Sequence, residues 1–178
     1  MSVVPIITIP DKRLLQPCEK VTDFGSGTQK VIRNLKDTLQ NAKNPEGAGL
    51  AAPQIGVLKR ITIVRNYVFN PADKETPIVQ EFVLINPKII SQSKDTIVEY
   101  EGCLSVPNSY GKVERNKKVK IKAQDESGET IRLTASGFFS AVIQHEIDHL
   151  NGVLFTSKTI GGLLTEKEFD QFLDVVAG

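Results

Sequence analysis

The chain has 178 residues, 40% hydrophobic and 24% charged, with 22 basic and 21 acidic side chains and a formal net charge of +1. That length fits one domain over residues 1–178, the apolar content excludes wholesale disorder, and near-neutrality excludes a general polyanion binder while leaving room for a local basic patch. No apolar run reaches a bilayer span, Met1-Ser2-Val3-Val4-Pro5 is no secretory signal and two cysteines make no disulfide scaffold, so a cytoplasmic, reducing setting without a membrane is expected.

The first helix is predicted from about Thr28 to Lys43, where Val31, Leu35 and Leu39 recur at i, i+4, i+8, and Asn44-Pro45 stops it. Gly47 to Gly56 is too glycine-rich for a regular element and too apolar for a solvated loop. It reads as a loop packed inward, with backbone free to approach a ligand closely. Ile61 to Val64 and Phe82 to Ile85 read as strands, with Asn66 to Pro77 as a surface excursion between them. Ile97 to Tyr100 reads as a strand leading into Glu101-Gly102-Cys103-Leu104-Ser105. Val119 to Ala123 and Thr130 to Thr134 alternate around Asp125-Glu126-Ser127-Gly128, which is a hairpin signal.

Gly137 to Leu150 is the strongest helix. Ser136 is its expected N-cap, Phe139, Ile143, Ile147 and Leu150 its core stripe, and Asn151-Gly152 its left-handed stop. A last helix is predicted from about Glu166 to Val176, with Thr165 and Glu168 as a capping box and Phe169, Phe172, Leu173 and Val176 as an apolar face. Short strands among a few helices, without a βαβ rhythm, give an α+β class: mixed or antiparallel strands around a central helix.

That helix carries both histidines of the chain, His145 and His149, four apart, with Glu146 after the first. By chance this arises in roughly one arrangement in a thousand. Residues i and i+4 share a helix face, so the two imidazoles can bind one metal ion, and Glu146 stands close enough to take a proton from a water there. A third ligand is needed, and two candidates stay open: Cys103 and Glu168. A thiolate suits the same borderline-soft metals as imidazole, whereas Glu168 has a competing role in the capping box. Asp148 points away from the histidine face, and two readings of it stay open: a pair with Arg115 or a solvated surface carboxylate. Cys18 reads as a bystander thiol.

Gly47-Ala48-Gly49-Leu50-Ala51-Ala52-Pro53-Gln54, Glu101-Gly102-Cys103-Leu104-Ser105 and Gln144-His145-Glu146-Ile147-Asp148-His149 stand in the order of the three signature motifs of the peptide deformylases, and the chain from about Ile7 to Phe155 resembles that family. The resemblance implies Cys103, His145 and His149 as metal ligands and Glu146 as general acid/base. It implies the Gln54 side chain and the Leu104 N–H as oxyanion donors, and Gly49 and Gly102 as backbone presented to a peptide. The implied reaction removes the formyl group from the N-terminal formyl-methionine of newly made polypeptides. The implied cofactor is one divalent metal ion, natively Fe(II), with zinc, nickel or cobalt able to occupy the site. Ala141 and Val142, one turn before the histidines, are candidates for an apolar methionine pocket. Tyr110 stands where some bacterial members carry an arginine near the substrate. Two other classes remain in play: a peptidase with Glu168 as third ligand, and a non-catalytic metal-bearing peptide binder. A transient ribosome contact is expected of an enzyme acting on nascent chains. Lys118, Lys120 and Lys122, on one face of a strand, are candidates for touching RNA or, alternatively, for guarding a sheet edge.

Overall fold

The computed structural model describes residues 3–43, 46–70 and 73–177. The expected helix stop at Asn44-Pro45 and the first two residues lie outside that set. In chain order the elements are α1 (Ser26–Asn41), β1 (Gly49–Ala51), β2 (Ile61–Asn70), β3 (Asp73–Gln92), β4 (Thr96–Cys103), β5 (Val106–Asn116), β6 (Lys118–Gln124), β7 (Thr130–Ser136), α2 (Gly137–Leu150), β8 (Leu164–Thr165) and α3 (Glu166–Ala177). One sheet has the order β1-β2-β3-β6-β7 and the other β4-β5-β8, with every strand pairing antiparallel. The class is α+β, as expected from the sequence.

The strand pleat distributes the core. On β2 and β3, Ile61, Ile63, Val83 and Ile85 face one way and pack with Ile32, Leu35 and Leu39 of α1. Val64 and Leu84 face the other way and join Val119, Ile121 and Ala123 of β6 against Phe139, Val142, Ile143 and Ile147 of α2. The sheet is thereby wedged between two helices, and α2 is fixed along most of its length. A third cluster, with Leu14, Val106, Val113, Leu154 and Phe155, carries the second sheet.

Several elements differ from their expected form. β2 and β3 are 10 and 20 residues long, so the described residues of the expected excursion, 66–70 and 73–77, continue the hairpin rather than looping away. Its outer part leaves Phe69 and Ile78 exposed, which removes the burial signal that marks a strand. Gly49–Ala51 pairs with β2, and Ala52–Ile55 then turns as a 3₁₀ helix, so the glycine-rich segment is regular after all. β5 escapes pattern reading because Pro107 and Gly111 interrupt its alternation. Ser136 occupies the N-cap of α2, yet its side chain makes no capping bond. Gly152 does take the left-handed conformation, at φ 73°. On α3, Leu173 is exposed, and the Val176 side chain lies outside the described residues.

Candidate active site

Three segments meet beside α2. The helix brings His145, Glu146 and His149; the end of β4 brings Glu101, Gly102 and Cys103; β1 and the turn after it bring Gly49 and Gln54. Cys103 Sγ lies 3.2 Å from His149 Nε2, and the thiol and one nitrogen of each histidine all fall within 4.8 Å of one another. Their chemistry, a thiol and two imidazoles, suits a borderline-soft divalent metal ion. Glu168 is not part of this cluster. It is exposed and closes the capping box of α3, accepting from Thr165 N and Thr165 Oγ1 at 2.8 and 2.7 Å. Both cysteines are free, and Cys18 is buried elsewhere in the core.

The cluster is held from behind. Arg115 donates to Glu101 through Nε at 2.7 Å and Nη2 at 2.9 Å, a two-point clamp. Glu101 Oε2, which also accepts from Arg115 Nη2, meets His145 Nδ1 at 2.8 Å, and this directs the other ring nitrogen of His145 inward. Arg115 Nη1 also donates to Asp148 Oδ2 at 2.6 Å, and Lys158 Nζ to Asp148 Oδ1 at 2.8 Å. Of the two readings that the sequence leaves open for Asp148, the pair with Arg115 is the one formed. Glu101 is the residue that reading missed: its partner is 44 positions away in the chain, and only its place next to Gly102-Cys103 hinted at a role.

Burial and neighbours set opposite protonation tendencies in this small volume. Burial alone would raise the Glu101 carboxyl, but hydrogen bonds from Arg115 and His145 hold it at about 2. Burial pulls His145 down too, yet the thiol of Cys103 and the carboxylate of Glu101 carry its pKa well above the ordinary value. His149, buried and next to His145, is driven well below it. Glu146 is 3% exposed, and burial pushes its carboxyl up to about 7. Its Oε2 accepts from Thr62 Oγ1 at 3.2 Å.

Gly49 packs against this carboxylate. A Cβ there would stand 2.5 Å from Glu146 Oε1, so only glycine lets β1 pass so close to the acid. Gln54, 2% exposed, is oriented by its own oxygen, which accepts from Ala51 N at 2.8 Å. Its amide nitrogen therefore faces Ser105 Oγ at 3.2 Å and Cys103 Sγ at 3.6 Å.

The site opens into a pocket of about 230 Å³. Gly49, Gln54, Gly102, Cys103, Leu104, Ala141, Val142, His145 and Glu146 line it, so the structure brings these expected residues together, with His149 directly behind Cys103. The outer rim adds Glu46, Glu99, Tyr100, Tyr110 and Phe138. α3 props that rim: Phe169 stacks on Tyr110 at 4.2 Å between ring centroids, and Phe172 meets Tyr100 at 4.9 Å.

Comparison with known proteins agrees with this geometry. The family model described as polypeptide deformylase matches residues 3–162. The chain belongs to the peptide deformylase family. Peptide deformylase 1 of Bacillus cereus is 41% identical over 158 residues, covering 89% of this chain and 93% of that protein. A peptide deformylase of Wolbachia is 38% identical, covering 87% and 86%. Among solved structures, a Met-Ala-Ser-bound class I type b peptide deformylase of Acinetobacter baumannii superposes with a TM-score of 0.78 at 33% identity, over 89% of this chain and 99% of that one. A peptide deformylase of Synechococcus elongatus in complex with actinonin gives 0.77 at 36% identity, over 98% and 86%. The family model ends at residue 162, before α3, whereas the Synechococcus elongatus structure covers 98% of the chain.

Proposed function

We propose that residues 1–178 act as one catalytic domain that removes the formyl group from the N-terminal formyl-methionine of newly made polypeptides and releases formate. The observation that carries this reading is the convergence of Cys103, His145 and His149 beside a buried Glu146, at the head of a pocket wide enough for a chain end. The three converging side chains would hold the metal, Fe(II) in the native enzyme, with zinc, nickel or cobalt accepted by the same donors. Such an ion supplies a Lewis acid for the formyl oxygen and makes a water easier to deprotonate.

The chain's own residues do the rest. Glu146 takes a proton from the attacking water, whose oxygen bonds to the formyl carbon. The Gln54 amide and the Leu104 N–H would donate to the oxygen that turns negative, a role worth about 3 kcal/mol per donor. The carbon–nitrogen bond then breaks, and Glu146 hands its proton to the departing amine. Its raised pKa fits a group that must both accept and return a proton near neutrality. Gly49 and Gly102 offer backbone to the peptide, while Ala141 and Val142 line the methionine side. No described helix is long and apolar enough to cross a membrane. The reading is of a cytoplasmic enzyme that touches the ribosome transiently.

The test is formate release from formyl-Met-Ala-Ser by protein loaded with Fe(II) under argon. Wild type should release one formate per peptide and leave the internal amides intact. Cys103→Ser should lose metal content and activity together. Cleavage of an internal bond, or no formate from metal-loaded wild type, overturns the reading.

A further inference from the structure

The five-stranded sheet has a second face, turned away from α2. The three lysines singled out in the sequence lie on it, and their setting rules out one account of them. β6 is not an edge strand; it lies between β3 and β7. Lys118, Lys120 and Lys122 therefore guard no edge. Lys122 stands directly opposite Lys88 of β3 on one side and Arg132 of β7 on the other. Lys120 is flanked by Ser91 and Thr134, and Lys118 by Ser136. All five cations are exposed, and none has an ion-pair partner among the described residues.

Three like charges in one cross-strand row repel one another, so the row costs stability rather than adding it. Solvation alone would be served as well by mixed charge. Yet the stretches 88–92, 118–124 and 130–136 contain no aspartate or glutamate, in a chain whose overall charge is only +1. In the turn that closes the hairpin, Asp125 accepts from Ser127 N and Glu129 N and Glu126 pairs with Lys36, while Glu129 is an exposed acid just outside these stretches. Lys88 also borders a groove shared with Lys20 and Arg60, where the Arg60 guanidinium meets the carbonyls of Pro87 and Leu150 and the Asn151 amide oxygen but no carboxylate.

We infer that this face, Lys88, Lys118, Lys120, Lys122 and Arg132, docks the enzyme on ribosomal RNA. The inference rests on the reading that the substrate is a newly made polypeptide, because such a chain emerges from a particle whose surface presents RNA phosphates. A cross-strand array with cations about 6.8 Å apart along β6 matches a phosphate-lined surface without base readout. Val119, Ile121 and Ala123, between those lysines, point to the opposite side and pack on α2. Docking through the basic face thus leaves the groove on the α2 side uncovered.

The experiment is co-sedimentation with purified bacterial ribosomes over a range of salt concentrations, alongside formate release from a short formylated peptide. Wild type should bind, more weakly as salt rises. The triple variant Lys88→Gln, Lys122→Gln, Arg132→Gln should lose about three from the slope of log affinity against log salt, with formate release unchanged. Lys122→Glu, placed between two cations, should weaken binding and raise the melting temperature, which separates a lost contact from a lost fold. A control triple, Lys12→Gln, Lys112→Gln, Lys167→Gln, removes as much charge away from this sheet and should bind as wild type does. Equal losses in the two triples, binding to phosphatidylglycerol vesicles but not to ribosomes, or no ribosome binding by wild type would each overturn the inference. Formate release by wild type keeps these outcomes separate from the reading of the active site.

Discussion

The inner end of the groove and its rim are held by different forces. Inside, Arg115, Glu101, Asp148 and His145 are joined by charge-assisted hydrogen bonds of 2.6–2.9 Å, all on or beside elements fixed by the sheet and α2. At the rim, Tyr100 and Tyr110 rest on Phe169 and Phe172 of α3, a helix that buries little else. Reaction geometry tolerates errors of only a fraction of an ångström, so it sits where polar bonds and core packing over-determine it. On the proposed function the rim would meet the variable part of a peptide, and it is built from contacts that a modest rearrangement can undo. Perturbing each region in turn should therefore produce different failures.

The largest effect is expected at Glu146. Glu146→Gln keeps the side-chain shape but not the proton carrier, and should lower turnover by about 10²–10⁴-fold with metal content unchanged. Wild-type activity should fall as pH drops, because the carboxylate form is the base. The metal-free protein should show the opposite side of the same burial. An unfolded glutamate ionises near 4.5 and the buried Glu146 near 7, so the folded state loses stability as pH rises between those values. The glutamine variant escapes that loss. Its melting temperature without metal should exceed that of wild type at pH 8 and not at pH 4. Equal melting at pH 8 would mean that burial does not strain the acid.

Next in size is the clamp behind the candidate metal ligands. Arg115 is 4% exposed and serves two carboxylates. Arg115→Met would leave Glu101 and Asp148 facing each other without their shared cation. Breaking a buried pair from one side costs about 3–5 kcal/mol, so this variant should melt far below wild type. The loss should be smaller at low pH, where the Glu101 carboxyl, no longer held low by Arg115, can take a proton. A melting curve like that of wild type at pH 7 would show that Lys158 and His145 suffice to hold the two acids.

These two regions also differ in how much the sequence discloses. His145, Glu146 and His149 are legible because a helix converts spacing directly into a shared face, and α2 runs from Gly137 to Leu150 as expected. The ends of the β6–β7 hairpin are legible for the same local reason. Glu101 is not: nothing near it in the chain says that Arg115 and His145 will converge on it. The place of Lys118, Lys120 and Lys122 is misread as a possible edge because strand order is a nonlocal property. β5 and the outer halves of β2 and β3 are missed where exposure or Pro and Gly blur the two-residue period. Tyr110 could only be noted as a departure, since its stacking partner lies 59 residues further on in an element that amphipathicity predicts but cannot dock.

That stacking partner gives the mildest and most selective perturbation. Phe169→Ala removes the ring that lies parallel to Tyr110, 12° between planes, and one of the two that meet Tyr100. An aromatic pair contributes about 0.5–1.5 kcal/mol beyond its buried area. Nothing in the Cys103, His145, His149 and Glu146 cluster touches Phe169, so the reaction step should be unaffected. With Phe169 gone, Tyr110 is free to swing toward Gly102, where its ring already stands so close that a Cβ would meet it at 2.8 Å. A longer peptide would have to displace the ring; a formyl-methionine derivative that stops short of the rim would not. The expected result is a KM raised up to about tenfold for a formylated tetrapeptide, with little change for formyl-methionine amide and little change in kcat for either. A parallel fall in kcat for both substrates would instead mean that α3 supports the catalytic cluster itself, and that the rim and the inner end are one mechanical unit.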